Sequence, residues 1–279
     1  MSSKSEDELG LIVMDNCKEL GNKIDQNIMQ RRSKKDSFII PTNLVRFNNG
    51  EGKAVIEDSV RDKDLYIISD IGNHSMTYKM YGYSNHMGPD EHFMDIKRVI
   101  SAVRGQADRV TVVMPLLYES RQHRRKGRES LDCALALQEL QNLGVSTIVT
   151  FDVHDPNIQN AVPTSMSFEN FYPTNTILKE FIKNEEFDPE SVKFISPDTG
   201  AMDRAKYYAN MFQADVGMFH KRRDYSKIVD GKNPIVAHNY LGGNLEGETA
   251  IVIDDMIASG TSMLEVAADL KERGAKKCF

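Results

Sequence analysis

Short apolar runs, each bounded by charged or turn-forming residues, recur along this chain, and most are followed by apolar residues at helical spacing. Leu11 to Met14, Leu65 to Ser69, Val110 to Met114 and Thr147 to Phe151 read as short strands. Leu20, Ile24 and Ile28, then Ile96, Val99 and Ile100, then Leu135, Leu137 and Leu140 mark the helices between them. Phe38 to Ile40 and Lys53 to Asp58 read as further strands, and Asn49-Gly50 within Leu44 to Glu51 is a hairpin-turn signal. Asp70 to Gly88 reads as a loop leading into a helix start. The alternation then repeats: a helix from about Thr176 to Lys183, a strand at Val192 to Ile195, a helix from Ala201 to Phe212, and strands near Val216 to Phe219 and Ile235 to His238. A final strand begins at Thr249 and precedes a helix patterned by Leu264, Ala267, Ala268 and Leu270, which Gly274 can stop.

Such alternation predicts an α/β fold with mostly parallel sheets. Periodicity lapses between Asp155 and Phe171, which divides the chain into domains at 1–160 and 161–279. Ala275 to Phe279 reads as the opening of another strand, so the second domain is expected to be incomplete.

Composition narrows the function. A chain of 279 residues with 40% hydrophobic content can build two cores. Its formal charge of −6 argues against a general nucleic-acid or anionic-membrane surface, so any basic cluster serves a local purpose. Cys17, Cys133 and Cys278 are scattered and form no CxxC pair, which argues against structural zinc or a disulfide framework and fits a reducing cytoplasm. No apolar run approaches the roughly 20 residues needed to cross a bilayer. The opening MSSKSEDELG has no export pattern.

The densest chemistry is TAIVIDDMIASGTS, Thr249 to Ser262: a buried strand, two adjacent acids, a loop of small hydroxylated residues, then a helix. A helix start offers unpaired N–H groups and positive dipole to a phosphate, and Gly260 lets the backbone come close. Asp254 and Asp255 suit the diol of the attached sugar, directly or through magnesium. An ordinary capped turn with solvated aspartates remains the plainer alternative.

Four other stretches follow strands. Arg121 to Arg128 (RQHRRKGR) is a polyphosphate clamp or a solvated loop. Val149 to Pro163 places Asp152 and His154 two residues apart, a costly pairing of ionisable groups unless it is used. Ser196 to Ala201 (SPDTGA) repeats the strand, acid, glycine, helix order around Asp198. Lys221, Arg222 and Arg223, placed just after a strand ending at Phe219, are cations that could close over a transferring phosphoryl group.

IVIDDMIASGTS resembles the phosphoribosyl pyrophosphate (PRPP) loop of the type I phosphoribosyltransferase fold, with Ala258 where many relatives carry an acid and Thr261 where many carry a second glycine. Taken in order, RFNNGE, YESRQHRR, FDVHDPNIQ, SPDTGA, HKRRD and DDMIASGTS resemble the ribose-phosphate pyrophosphokinase family from about Leu11 to the last residue. The resemblance implies two phosphoribosyltransferase-like, Rossmann-like domains, magnesium, and transfer of the β,γ-diphosphoryl group of ATP to the 1-hydroxyl of ribose 5-phosphate. It further implies homo-oligomers built from dimers, up to hexamers. By the same resemblance, Arg121 and Gln122 meet ATP phosphates, His154 and Asp198 bind magnesium, and Lys221 and Arg223 are catalytic cations. Asp254 and Asp255 hold the ribose, Ser259, Gly260, Thr261 and Ser262 cradle the 5-phosphate, and Phe47, Asn49 and Glu51 reach the adenine of a neighbouring subunit. Asn49 stands where the family usually has aspartate, and His123 where an acid is commoner. A transferase that consumes PRPP and a non-catalytic assembly subunit are the competing expectations. The former needs only the Thr249 loop, whereas this chain also carries Arg121, Gln122, Lys221 and Arg223.

Overall fold

The computed structural model describes residues 9–223 and 235–279, with side chains described for all of these except 221–223 and 235–238. The first part of the chain runs β1 (Leu9–Val13), α1 (Lys18–Arg31), β2 (Thr42–Arg46), β3 (Gly52–Ile56), β4 (Asp64–Ile68), β5 (Thr77–Met80), β6 (Tyr83–His86), α2 (Pro89–Val103), β7 (Arg109–Val113), α3 (Asp132–Asn142), β8 (Thr147–Phe151) and β9 (Ser167–Phe171). Five strands form one parallel sheet in the order β1-β4-β7-β8-β9. Alternate strand residues Ile12, Leu65, Ile67, Val110, Val112 and Ile148 share a core with Phe93, Ile96, Val99, Leu137 and Leu140 of α2 and α3. Strand periodicity and helix periodicity therefore meet in one layer. α1 lies so close to β1 that a Cβ on Gly21 would stand 2.2 Å from Val13 Cγ1, which only glycine avoids. Leu20 consequently points outward, and Leu135 of α3 does the same, each about half exposed.

Three details differ from the sequence-based reading. Phe38 to Ile40 makes a single parallel bridge from Ile39 to Leu11 instead of a strand, and Pro41, lacking an N–H, cannot extend the ladder. Within Asp70 to Gly88 the chain forms the hairpin β5–β6, whose two turn residues both take left-handed backbone, Tyr81 at φ 50° and Gly82 at φ 86°. The segment between Asp155 and Phe171 ends in β9, whose pairing with β8 keeps it in the first sheet. The two compact units accordingly divide between Tyr172 and Pro173, beyond the division at residue 160 expected from periodicity.

The second unit runs α4 (Thr174–Asn184), β10 (Val192–Ser196), α5 (Met202–Phe212), β11 (Asp215–Arg223), β12 (Ile235–Leu241), β13 (Thr249–Val252), α6 (Thr261–Glu272) and β14 (Lys277–Cys278). Its sheet has the order β12-β11-β10-β13-β14, parallel except for the β11–β12 pair. Leu178, Phe194, Tyr208 and Ile251 form one core cluster, and Ile195, Phe219, Ala250, Val266 and Leu270 another. Leu264, expected on the packed face of the last helix, is 74% exposed, and Val266 takes the buried position. The described residues include no helix long and apolar enough to cross a membrane.

The hairpin β2–β3 projects from the first sheet and packs on α2. Its anchor is Asp95 of α2, which accepts from Arg46 at 2.7 Å and from Arg98 at 2.6 Å, with side-chain exposures of 6%, 14% and 18% respectively. Arg46 also lies 5.4 Å over the ring of Tyr78 in β5, which ties the two hairpins together. Removing one member of a buried charge network leaves the others desolvated and unpaired. Asp95→Ala should therefore cost about 3 to 5 kcal/mol in urea unfolding. A loss below about 1 kcal/mol would show that the pair behaves like a solvated surface contact.

Candidate functional site

In the second unit the acidic strand ends come together. Beyond β10, Ser196 Oγ donates to the Asp198 carbonyl at 2.6 Å, and Asp198 Oδ1 accepts from the N–H groups of Gly200 (2.8 Å) and Ala201 (3.2 Å). These bonds fix the turn into α5. Beyond β13, Asp254 Oδ1 accepts from the Asp255 N–H at 3.0 Å. Arg204 of α5 reaches across to Asp255, Nη1 to Oδ1 at 3.6 Å, with side chains only 12% and 4% exposed. Asp254 is left in a crowded place. Burial first, then its hydrogen bond with the Asp255 side chain and the charges of Asp255 and Asp198, push its carboxyl up to about 6. Arg204 was not singled out from the sequence, since nothing in a helix surface pattern tells which exposed-looking arginine turns inward.

The loop that follows holds the expected cradle. Gly260 adopts φ 76° as the residue capping α6, which begins at Thr261. The left-handed backbone is the reason for glycine here. A Cβ would meet only Ile257 Cγ2 at 4.0 Å, so space inside the chain is not the constraint. No side chain caps α6, so the orphan N–H groups of its first turn remain for a ligand, beside Ser259 and Thr261, whose hydroxyls share a 3.2 Å bond.

In the first unit the loop after β7 carries Arg121 and Gln122. The Gln122 Nε2 group donates to the Ser130 carbonyl at 2.7 Å and to that of Arg124 at 3.4 Å, closing its own loop. Arg121, Arg124, Arg125, Lys126 and Arg128 are exposed. His123 turns inward: its side chain is 10% exposed, its Nε2 lies 3.0 Å from Asp155 Oδ2, and its ring centroid is 5.4 Å from that of His154. Its buried Nδ1 has no hydrogen-bond partner among the described residues. Asp152, two residues before His154, takes φ 43°, a left-handed turn at the end of β8. His154 and Asp198 belong to different units, and no group of three or more His, Cys, Asp or Glu residues converges among the described residues.

At the tip of β2–β3, Phe47 is 46% exposed, with Lys53 Nζ 5.9 Å from its ring centroid. Asn49 and Glu51 bond to each other, Asn49 Nδ2 to Glu51 Oε2 at 2.9 Å. The Tyr81 N–H donates to the Asn48 carbonyl at 2.7 Å, so the second hairpin supports the first at its turn. Lys221 and Arg223 were expected just past a strand. Instead β11 continues through Arg223, with Lys221 opposite His238 and an irregularity between Arg222 and Arg223. The side chains of both lie outside the described ones.

A family model described as the N-terminal domain of ribose phosphate pyrophosphokinase matches residues 9–144, and one described as a phosphoribosyl transferase domain matches residues 174–278. The chain is 29% identical over 237 residues to a ribose-phosphate pyrophosphokinase of Staphylococcus saprophyticus, a match covering 84% of this chain and 66% of that relative. It is 28% identical over 280 residues to a ribose-phosphate pyrophosphokinase of Oceanobacillus iheyensis, covering 100% of this chain and 78% of the other. The match thus spans just under two thirds of the first relative's length and more of the second. A solved phosphoribosylpyrophosphate synthetase from Mycobacterium smegmatis superposes with a TM-score of 0.77 at 21% identity, covering 97% of this chain and 79% of that one, which speaks to the fold.

The crowding at Asp254 has a measurable sign. A carboxyl whose folded value lies above its unfolded one favours the fold while protonated, and this stability is lost as pH rises through about 6. Asp254→Asn should thus be more stable than the parent at pH 8 and gain nothing at pH 4. Urea unfolding at both values checks this, and an equal effect at both would exclude a raised carboxyl.

Proposed function

This chain belongs to the ribose-phosphate pyrophosphokinase family, and from that premise we propose that it transfers the β,γ-diphosphoryl group of ATP to ribose 5-phosphate. The observation that carries this reading is the pairing of two matched domains in one chain. A transferase that only consumes PRPP needs the second and has no use for the first. In the reaction the 1-hydroxyl oxygen of the sugar attacks the β-phosphorus, the bond from that phosphorus to the α–β bridging oxygen breaks, AMP leaves, and the hydroxyl proton passes to solvent or to a base.

Each part of the site has a task in this scheme. The first turn of α6, with Ser259, Gly260, Thr261 and Ser262, seats the 5-phosphate, and Asp254 and Asp255 accept from the ribose hydroxyls. Arg204 holds Asp255 in place for that contact. Arg121 and Gln122 are assigned to the nucleotide phosphates, Gln122 by exchanging its bonds to the Ser130 and Arg124 carbonyls for them, while Phe47, Asn49 and Glu51 offer a ring and two polar groups to the adenine of a neighbouring subunit in a homo-oligomer built from dimers. Lys221 and Arg223 meet the transferring group. A cytoplasmic location fits these acceptor and donor substrates.

Magnesium fits the residues present. Burial and the charges of Asp255 and Asp198 hold the Asp254 carboxyl up, a condition that a nearby cation relieves, and magnesium takes water and substrate phosphate among its ligands. By the family resemblance, His154 in the first unit and Asp198 in the second are each proposed as magnesium ligands. When bound, it neutralises charge developing on the phosphoryl oxygens.

The products decide the reading. With ATP, ribose 5-phosphate and magnesium, the expected products are AMP and PRPP in equal amounts, and formation of ADP, or of phosphate alone, would exclude it. Lys221→Ala should lower kcat about a hundredfold with little change in ribose 5-phosphate binding, as for a group acting on the transition state. Equal losses in both would make Lys221 a simple binding residue.

A further inference from the structure

His123, like Tyr240, has a buried side-chain polar atom with no hydrogen-bond partner among the described residues. Its Nε2 faces Asp155 Oδ2 at 3.0 Å, and Asp155 is itself fixed, because its other oxygen accepts the Asn157 N–H at 2.9 Å. A carboxylate only accepts, so Nε2 carries the hydrogen, and in the neutral ring Nδ1 is a bare lone pair. That lone pair is buried and meets no donor among the described residues. A carboxylate orienting one imidazole nitrogen while the other is left open is the arrangement that prepares histidine for a metal ion. The neighbour fits as well. Metal–nitrogen bonds of about 2.1 Å put two imidazole centroids on one ion roughly 5 Å apart, and the rings of His123 and His154 are 5.4 Å apart.

We infer that His123, positioned by Asp155, joins His154 as a second nitrogen ligand for a divalent ion at the ends of β7 and β8 in the first unit. This rests on the proposed role of the first unit in holding ATP. Two protein ligands do not complete a coordination sphere, and phosphate oxygens and water supply the rest. Two imidazoles change which ion is favoured. Magnesium prefers oxygen, whereas nitrogen ligands raise affinity in the order manganese, cobalt, nickel. This chain therefore takes a first-row transition ion at that position more readily than a chain with an acid in place of His123.

Cobalt(II) alone tests the assignment, because its visible absorption reports nitrogen ligation without turnover. Titrated into the nucleotide-free chain, it should give a saturable band, and a nonhydrolysable ATP analogue should tighten binding. His123→Phe should weaken cobalt affinity tenfold or more. His123→Asp should shift the ratio of cobalt to magnesium affinity toward magnesium. Manganese added to the unmutated chain should broaden the ring resonances of His123 and His154 together, a readout that does not depend on any variant folding. Cobalt affinity equal within twofold in parent and His123→Phe, or broadening of His154 alone, would overturn the proposal and leave a water molecule as the partner of Nδ1. AMP formation is measured separately, so a chain that binds cobalt through His123 without making AMP would contradict the proposed reaction and not this site.

Discussion

The contact between Arg204 and Asp255 is the interaction on which the second unit's site depends. Both side chains are nearly closed to solvent, and a carboxylate in that position is tolerable only with a cation beside it. Once Asp255 is paired, Asp254 and Asp198 share the remaining negative charge with no equal supply of positive charge among the described neighbours. Burial, the larger cause, and these neighbouring charges together raise the Asp254 carboxyl. A site left in that condition favours whatever brings positive charge or hydroxyl donors, and a sugar diol with a metal ion brings both.

The geometry behind this crowding is set by the sheet. β10 and β13 are parallel neighbours, paired from Val192 with Thr249 to Ile195 with Val252, so their carboxyl ends, and the acids that follow them, open on the same edge. The first unit repeats the arrangement with β7 and β8, whose following loops carry Arg121 to His123 and His154 to Asp155. Its two hairpins are additions to that plan. They are held by the buried Asp95 with Arg46 and Arg98, and by the bond from Tyr81 to Asn48.

Most strands were legible because parallel strands are apolar runs ending in polar loops, and the loops announced themselves through Gly260, Asp198 and the Asp254-Asp255 pair. What escaped did so for physical reasons. β9 is an edge strand whose sequence, SFENF, exposes every second residue, so it lacks the continuous apolar run of its neighbours. The hairpin β5–β6 turns on Tyr81-Gly82, and tyrosine seldom occupies a left-handed turn position that Asn or Asp usually fills. Leu264 satisfied the helical spacing yet is exposed, and Val266, two positions on, takes the buried face of α6. Arg204 and the inward turn of His123 depend on contacts across the chain, which spacing along it does not encode.

Proton release on ligand binding tests most directly whether the acidic strand ends form the sugar-phosphate site. Ribose 5-phosphate with magnesium should stabilise ionised Asp254, so calorimetry in two buffers of different ionisation enthalpy should show about half a proton released at pH 6 and almost none at pH 8. Asp254→Asn should abolish the release at pH 6. Binding with no proton release, or release unchanged in that variant, would contradict the account and detach Asp254 from the sugar.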